Sequence, residues 1–152
     1  MKSRFFTPEE FRCHSGEPYP AAWVDDRLQA VCNVLDAVRD AWDAPIIVVC
    51  GYRTAAYNAA LADASARRNG GVSGVAQNSQ HIQGRAADVR PAAPTVERVA
   101  ELHRVVRHLF DQGRIPALGG LGLYPGWIHV DVRAKVNGHL AAWGGSGMGD
   151  AQ

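Results

Sequence analysis

The chain has 152 residues, 47% hydrophobic and 20% charged, a composition typical of one globular domain with a packed core and not of a disordered or fibrous protein. Sixteen Lys and Arg balance fifteen Asp and Glu, and the resulting net charge of +1 argues against a nucleic-acid-binding surface. The sequence has no run of about 18 apolar residues that would span a membrane. We therefore expect no nucleic-acid partner and no membrane insertion.

The first ten residues lack the apolar core of a secretory signal peptide. This leads to the expectation that the protein is synthesised in the cytoplasm without an export signal. The three cysteines, Cys13, Cys32 and Cys50, are an odd number and contain no C-x-x-C pair. We expect reduced thiols in a monomeric protein, with neither a disulfide framework nor a thiolate zinc site.

The first half of the chain predicts a short turn, two helices and a strand. Residues 7–10 have the spacing of a capped helical turn. Apolar residues recur at helical spacing over 24–42 and predict an amphipathic helix. The β-branched run over 45–51 predicts a buried strand, and an alanine-rich helix over 54–64 and a glycine-rich loop over 67–74 follow it.

The second half predicts three strands and one helix. Residues 86–90 have the pattern of a second strand, and residues 95–110 that of a second amphipathic helix. Two further strands, over 119–124 and 127–133, are predicted to be joined by a Tyr-Pro-Gly turn.

Together these elements predict an α+β fold, in which helices pack on one face of a small, largely antiparallel sheet. Residues 1–143 are expected to form one domain, because neither an internal repeat nor a second domain is visible. The glycine-rich residues 144–152 are expected to form a flexible tail.

The strand predicted over 127–133 alternates strictly between two kinds of side chain. Its apolar face carries Ile128, Val130 and Val132. Its other face carries Trp127, His129, Asp131 and Arg133. The same alternation over 86–90 turns Asp88 away from the core. If the two strands are near neighbours in the sheet, Asp88 and His129 meet.

A second histidine stands close to Asp88 in the sequence. His81 precedes it by seven residues, and Gly84 between them permits a sharp turn that brings His81 back over Asp88. Two imidazoles and one carboxylate suit a zinc ion with its fourth position open, as in hydrolytic zinc sites. From residue types alone, capping or solvated roles for these residues stay open. Three other histidines fit a metal site less well: they are His14, His103 and His108.

Four motifs are spread along the chain: they are Gly51-Tyr52-Arg53, NSQHIQGRAAD over 78–88, GLGLYP over 120–125 and WIHVD over 127–131. Together they resemble the zinc D-alanyl-D-alanine carboxypeptidase and murein endopeptidase family, a group of hedgehog-like, LAS-type metallopeptidases. The resemblance extends from about Phe6 to Trp143. Its most specific part is the string S-x-H-x-x-G-x-A-x-D, because this string fixes two ligands and the glycine turn.

The resemblance implies that His81, Asp88 and His129 hold zinc. It implies that Arg53 contacts a carboxylate or carbonyl of the substrate, which suits its planar fork of donors. Ser79 would help to order the site or the substrate, although a role in capping the turn is equally compatible with its position.

Two aromatic residues are expected to bind substrate, namely Tyr124 and Trp127. For Trp127, which would form a wall of the cleft, a packed position in the core is an alternative. The sequence departs from the family at Cys50, where a serine usually precedes Gly-Tyr-Arg.

A further departure concerns the general base. Many family members have Glu or Asp three residues before the last ligand, or His two residues before it, whereas this chain has Gly126 and Trp127. Asp131 lies on the same strand face as His129, about 7 Å further along. We therefore expect Asp131 to act as the base or to orient the His129 ring. His139 is a distant alternative for the base.

The resemblance implies a zinc-dependent peptidoglycan hydrolase that cuts stem-peptide bonds, as a D,D- or L,D-type carboxypeptidase or endopeptidase. Its partners would be peptidoglycan stem peptides. Action on the cell wall without an export signal would fit a phage or prophage lysin. Two alternatives remain: a non-catalytic zinc-containing domain that binds the wall, and a structural component of a virion.

Overall fold

A computed structural model describes residues 1–144 of the chain. In this range the α-helices are α1 Gln29–Trp42, α2 Ala55–Arg68 and α3 Val96–Asp111. The strands are β1 Ile46–Cys50, β2 Ala86–Pro91, β3 Gly120–Leu123, β4 Ile128–Asp131 and β5 Ala141–Gly144. Shorter helical turns lie before α1, at Pro8–Phe11, Ala21–Trp23 and Val24–Leu28.

The five strands form one sheet in the order β1-β2-β4-β3-β5. All neighbouring strands are antiparallel except β3 and β5, which are parallel. Helix α3 packs across β2, β3 and β4, and α1 packs on α3. The predicted α+β fold with a largely antiparallel sheet is confirmed.

Amphipathic helices explain why one face of the sheet is covered. Helix α1 buries Val31, Cys32, Val34, Leu35 and Val38. Helix α3 buries Val99, Leu102, Val106 and Leu109. The hydroxyl of Thr95 accepts a hydrogen bond from the Arg98 backbone at 3.0 Å, which caps the start of α3. These apolar faces meet the inward residues of the central strands and form the core.

The structure differs from the sequence-based predictions at several points. Helix α1 begins at Gln29 and not at residue 24, because Val24–Leu28 form a π-helical turn, and β4 spans Ile128–Asp131 and not 127–133. Helix α2 continues to Arg68, four residues beyond its predicted end. Strand β5 was not predicted, because its sequence Ala-Ala-Trp-Gly has little β-propensity. Gly144, expected to begin the flexible tail, closes β5 instead, and the rest of that tail, 145–152, lies outside the described residues.

The three cysteines are free and buried, as expected for reduced thiols. Among the helices of residues 1–144, none combines the length and the apolar character needed to cross a membrane.

Candidate metal centre

One row of residues crosses all five strands on the face of the sheet that points away from α1 and α3. In order across the sheet, these residues are Cys50, Asp88, His129, Gly122 and Trp143. Asp88 pairs directly with His129, and Nδ1 of His129 lies 3.0 Å from Oδ1 of Asp88. The predicted meeting of these two side chains is confirmed.

The turn before β2 carries His81 back over Asp88. Gly84 has a φ of +68°, and a Cβ there would lie 2.7 Å from the Tyr19 hydroxyl and 2.8 Å from the Trp23 ring. The Tyr19 hydroxyl also donates to the Gly84 carbonyl at 2.6 Å. Held in this way, the turn places Nε2 of His81 3.3 Å from Oδ1 of Asp88.

The two imidazoles turn one nitrogen each to the same carboxylate oxygen. His81 uses its Nδ1–H to donate to the Gly51 carbonyl at 2.6 Å, and its buried Nε2 has no hydrogen-bond partner within residues 1–144. His129 uses its Nε2–H to donate to Oδ2 of Asp131 at 2.8 Å, which leaves Nδ1 facing Asp88. Metal-ligating histidines typically donate their second N–H in this way. Three lone-pair donors that converge in a buried space fit a divalent cation.

The charges at this site depend on one another. Burial by itself lowers the pKa of His81, but the Asp88 carboxylate outweighs this effect and raises the pKa to about 10. For Asp88, burial acts to raise the pKa, whereas His81 and His129 hold it well below its usual range. The site therefore favours an ionised Asp88 carboxylate with a positive charge beside it. Either a proton on His81 or a metal cation supplies that charge.

Asp131 is buried, and both oxygens of its carboxylate accept hydrogen bonds from neighbouring residues. Its Oδ2 accepts from Nε2 of His129 at 2.8 Å and from Nη2 of Arg133 at 2.6 Å. Its Oδ1 accepts from the Arg133 backbone at 3.0 Å. Burial acts to raise its pKa, but the hydrogen bonds from His129 and Arg133 lower the pKa to about 2. Of the two roles predicted for Asp131, these contacts favour orientation of the His129 ring.

The guanidinium of Arg53 is buried beside Asp88, and its Nη2 lies 3.8 Å from Oδ2 of that carboxylate. Its Nη1 donates to Oδ1 of Asn58 at 3.4 Å. Asn58 was not predicted to belong to the site, since a single asparagine in an alanine-rich helix carries no signal of its own. Ser79 is buried and its hydroxyl accepts from the His81 backbone at 3.1 Å, so it caps the turn.

The predicted substrate-binding residues Tyr124 and Trp127 stack on each other, with ring centroids 4.9 Å apart. A third aromatic residue, Trp143, connects this pair to the site. Its Nε1 donates to the Tyr124 hydroxyl at 2.9 Å, and its ring centroid lies 5.2 Å from that of His129. No local signal in the sequence assigns Trp143 to the site, because its neighbours do not predict a strand.

The remaining histidines lie elsewhere. His139, the distant alternative for the base, is exposed in the turn before β5. His103 and His108 belong to α3, on the opposite face of the sheet. His14 bonds through Nε2 to a carbonyl of β1 and stacks on Tyr57.

Cys50 adds a thiol to the group, which the sequence did not predict. Donor atoms of Cys50, His81 and Asp88 all lie within 4.8 Å of one another. The sulfur is 3.7 Å from Nδ1 of His81, the nitrogen that faces the Gly51 carbonyl. The thiol therefore borders the ring of His81 on the side away from Nε2.

A model of the peptidase M15 family matches residues 4–131, which contain the whole His81, Asp88 and His129 constellation. The chain therefore belongs to the peptidase M15 family. The resemblance to zinc carboxypeptidases and murein endopeptidases is thereby confirmed at the level of the family.

One curated relative agrees with this assignment, and one solved structure shares the fold. The chain is 35% identical over 105 residues to the probable peptidoglycan L,D-endopeptidase MepK of Haemophilus influenzae, an alignment that covers 68% of this chain and 45% of the relative. The chain thus spans less than half the length of that protein. Its fold is similar to the crystal structure of the Serratia marcescens L-Ala D-Glu endopeptidase ChiX, with a TM-score of 0.51, 17% identity, and coverage of 79% of this chain and 93% of the other.

Proposed function

We propose that the protein is a zinc-dependent peptidoglycan hydrolase, with His81, Asp88 and His129 as the zinc ligands. The observation that carries this proposal is the convergence of two imidazole nitrogens on one buried carboxylate oxygen, while each ring donates its other N–H to a fixed acceptor. When bound there, zinc would supply Lewis acidity toward a peptide carbonyl and toward water.

The other polar residues of the site have roles in binding and orientation. Arg53 lies next to Asp88 with a planar set of donors, which suits a carboxylate or carbonyl of the substrate. Ser79 holds the turn that carries His81. Tyr124 and Trp127 form a stacked pair that we assign to one wall of the substrate cleft.

We assign Asp131 to the orientation of His129 rather than to proton transfer. Its carboxylate already accepts hydrogen bonds from His129 and Arg133 and is almost inaccessible to solvent. A base must reach the proton that it removes, and both oxygens of Asp131 are occupied. This leaves Asp131 as a support for the ligand, comparable to the carboxylate in carboxylate–histidine–zinc triads.

The substrate class rests on the comparisons. The Haemophilus relative is named as a probable peptidoglycan L,D-endopeptidase, and membership of a peptidase family agrees with cleavage of a peptide bond. We therefore propose a bond in the stem peptide, and the named activity favours an L,D-bond over a D,D-bond. A carboxypeptidase would release a terminal amino acid, whereas an endopeptidase would separate cross-linked or stem fragments.

Digestion of purified bacterial cell wall, followed by mass spectrometry of the released fragments, tests the activity and identifies the bond. We expect new amino and carboxyl ends with the zinc-loaded protein, none after chelation, and renewed cleavage when zinc is added back. His81→Ala should be inactive, and His103→Ala, a substitution on the opposite side of the sheet, should remain active. Intact wall after incubation with the zinc-loaded protein would refute the proposal.

A second candidate is a non-catalytic zinc-containing domain that binds the wall. Arg133 donates to the Asp131 carboxylate, and Gly126 and Trp127 stand where the resemblance places a base in many family members; both features favour this candidate. It predicts stoichiometric zinc and co-sedimentation with cell wall, without new fragment ends. The virion role predicts instead co-purification with other virion proteins.

Three further predictions accompany the proposal. We propose residues 1–143, extended by Gly144 at the end of β5, as the peptidase domain, and we expect it to be monomeric, which light scattering of the purified protein tests. A phage or prophage origin remains a prediction that the neighbouring genes can test.

A further inference from the structure

Trp143 lies against the proposed zinc ligand His129, although it is outside the residues matched by the family model. The two ring centroids are 5.2 Å apart and the rings are tilted by 44°. His129 also makes an edge contact with His81, with ring centroids 5.1 Å apart. The His129 ring therefore contacts both a second proposed ligand and an indole.

The missing side chain at Gly122 leaves space on the sheet for this indole. Gly122 stands between His129 and Trp143 in the row of paired residues. A Cβ at position 122 would lie 2.5 Å from Nε1 of Trp143, closer than non-bonded atoms approach, so a side chain there would displace the indole. Because β3 has no side chain at this position, the indole of β5 reaches across it to His129.

A hydrogen bond and a cation–π contact hold the indole in this position. Its Nε1 donates to the Tyr124 hydroxyl at 2.9 Å. The guanidinium of Arg133 lies 5.2 Å from the centre of its ring. The same guanidinium bonds Asp131, which accepts from Nε2 of His129. Arg133 thus connects the indole to the carboxylate that orients His129.

We propose that Trp143 is a positioning residue, which keeps Nδ1 of His129 directed at the metal centre. The hydrogen bond to Asp131 fixes one edge of the imidazole, but one hydrogen bond does not prevent the ring from tilting. The indole packs on the ring and limits this tilt. It also excludes water from the bond between His129 and Asp131, which strengthens that bond. This inference rests on the proposed metal site, and metal binding is its readout.

Cobalt and zinc titrations of the unsubstituted protein and three variants test the proposal. In Trp143→Ala we expect zinc affinity to fall by about 10- to 100-fold, the range found when groups that support a metal ligand are removed. The absorption bands of bound Co²⁺ should also change, because they depend on ligand geometry. Trp143→Phe retains an aromatic ring and should restore most of the affinity and the spectrum. Trp42→Phe, in α1, is the control and should match the unsubstituted protein.

The outcomes separate this inference from the proposed function. If the unsubstituted protein binds neither metal, both fail. If it binds Co²⁺ and Trp143→Ala binds it with the same affinity and spectrum, the role of Trp143 is refuted and the metal site stands. If Trp143→Ala does not fold, Trp143→Leu, which fills part of the same space without an aromatic ring, replaces it in the same titrations. We then expect weaker zinc binding and altered Co²⁺ bands in Trp143→Leu relative to Trp143→Phe, and an affinity and spectrum equal to those of the unsubstituted protein would overturn the inference.

Discussion

The two faces of the sheet carry opposite chemistry on the same strands. In β4, Ile128 and Val130 are buried against the helices, whereas His129 and Asp131 are buried on the other side among polar groups. The apolar face gains free energy from burial alone. The polar face needs a partner for every donor and acceptor, because an unpaired buried polar group is costly. The first face therefore supplies stability, and the second supplies the proposed metal site.

Substitution of adjacent residues in β4 should separate these two contributions most clearly. His129→Ala removes a proposed ligand, and we expect loss of stoichiometric zinc and cleavage reduced to background. The fold should persist, because the apolar core is untouched. Metal analysis and a circular dichroism melt of the metal-free protein check both statements. Full zinc occupancy in His129→Ala would contradict the ligand assignment.

Ile128→Ala is the matched substitution on the helix face. Ile128 is fully buried, and its truncation should lower the free energy of unfolding by about 2–5 kcal/mol. The folded fraction should bind zinc with unchanged affinity. Denaturant unfolding and zinc titration provide the two measurements, and a loss of zinc affinity as large as in His129→Ala would show that the faces are not independent.

The pH dependence should have opposite signs in the metal-free and zinc-loaded proteins. In the metal-free protein the pKa of His81 is raised to about 10, so its proton stabilises the fold. This contribution is complete below the unfolded value near 6.5 and is lost as pH rises toward 10. Zinc must displace that proton, so its affinity should rise by about tenfold per pH unit in the same range. Melts of both forms between pH 6 and 9 test this, and parallel trends would contradict it.

Asp131→Asn tests whether the carboxylate orients His129 or removes a proton. An orienting role predicts about 10- to 100-fold weaker zinc binding, because the ligand loses a charged acceptor. Cleavage at saturating zinc should then be largely retained. A base role predicts the reverse pattern, with normal zinc affinity and no cleavage. Parallel zinc titrations and digestions decide between the two.

The smallest effect is expected on the helix side, at the cap of α3. Thr95→Ala removes the acceptor for the Arg98 backbone N–H and should cost about 1 kcal/mol of stability. Zinc affinity should not change, because α3 lies across the sheet from the site. Thr95→Ser, which retains a hydroxyl, is the control in the same unfolding experiment.

Local patterns were sufficient to predict much of this molecule. Strict alternation placed His129 and Asp131 on one face of their strand, and the spacing of His81, Gly84 and Asp88 predicted the turn that brings them together. These signals are local, because side-chain direction in a strand follows from position alone.

The parts that were missed depend on contacts between distant segments. Strand β5 exists because it pairs with β3, and nothing in Ala-Ala-Trp-Gly predicts that pairing. Trp143 and Asn58 enter the site through tertiary packing, and Cys50 joins it through a strand register with an irregularity between Val48 and Cys50. Register over such distances is set by the whole sheet and not by a local motif.

The contact between Tyr19 and the His81 turn has a consequence for trimming the protein. The Tyr19 hydroxyl donates to Gly84, and Arg27 donates to the carbonyl of Gln83 at 2.8 Å. Burial raises the pKa of Tyr19, so this hydroxyl remains a donor even in alkaline solution. A shortened protein that starts at α1 would retain all three proposed ligands. It would lose the two hydrogen bonds that Tyr19 and Arg27 donate to the turn that carries His81. The segment before α1 therefore belongs to the smallest functional unit.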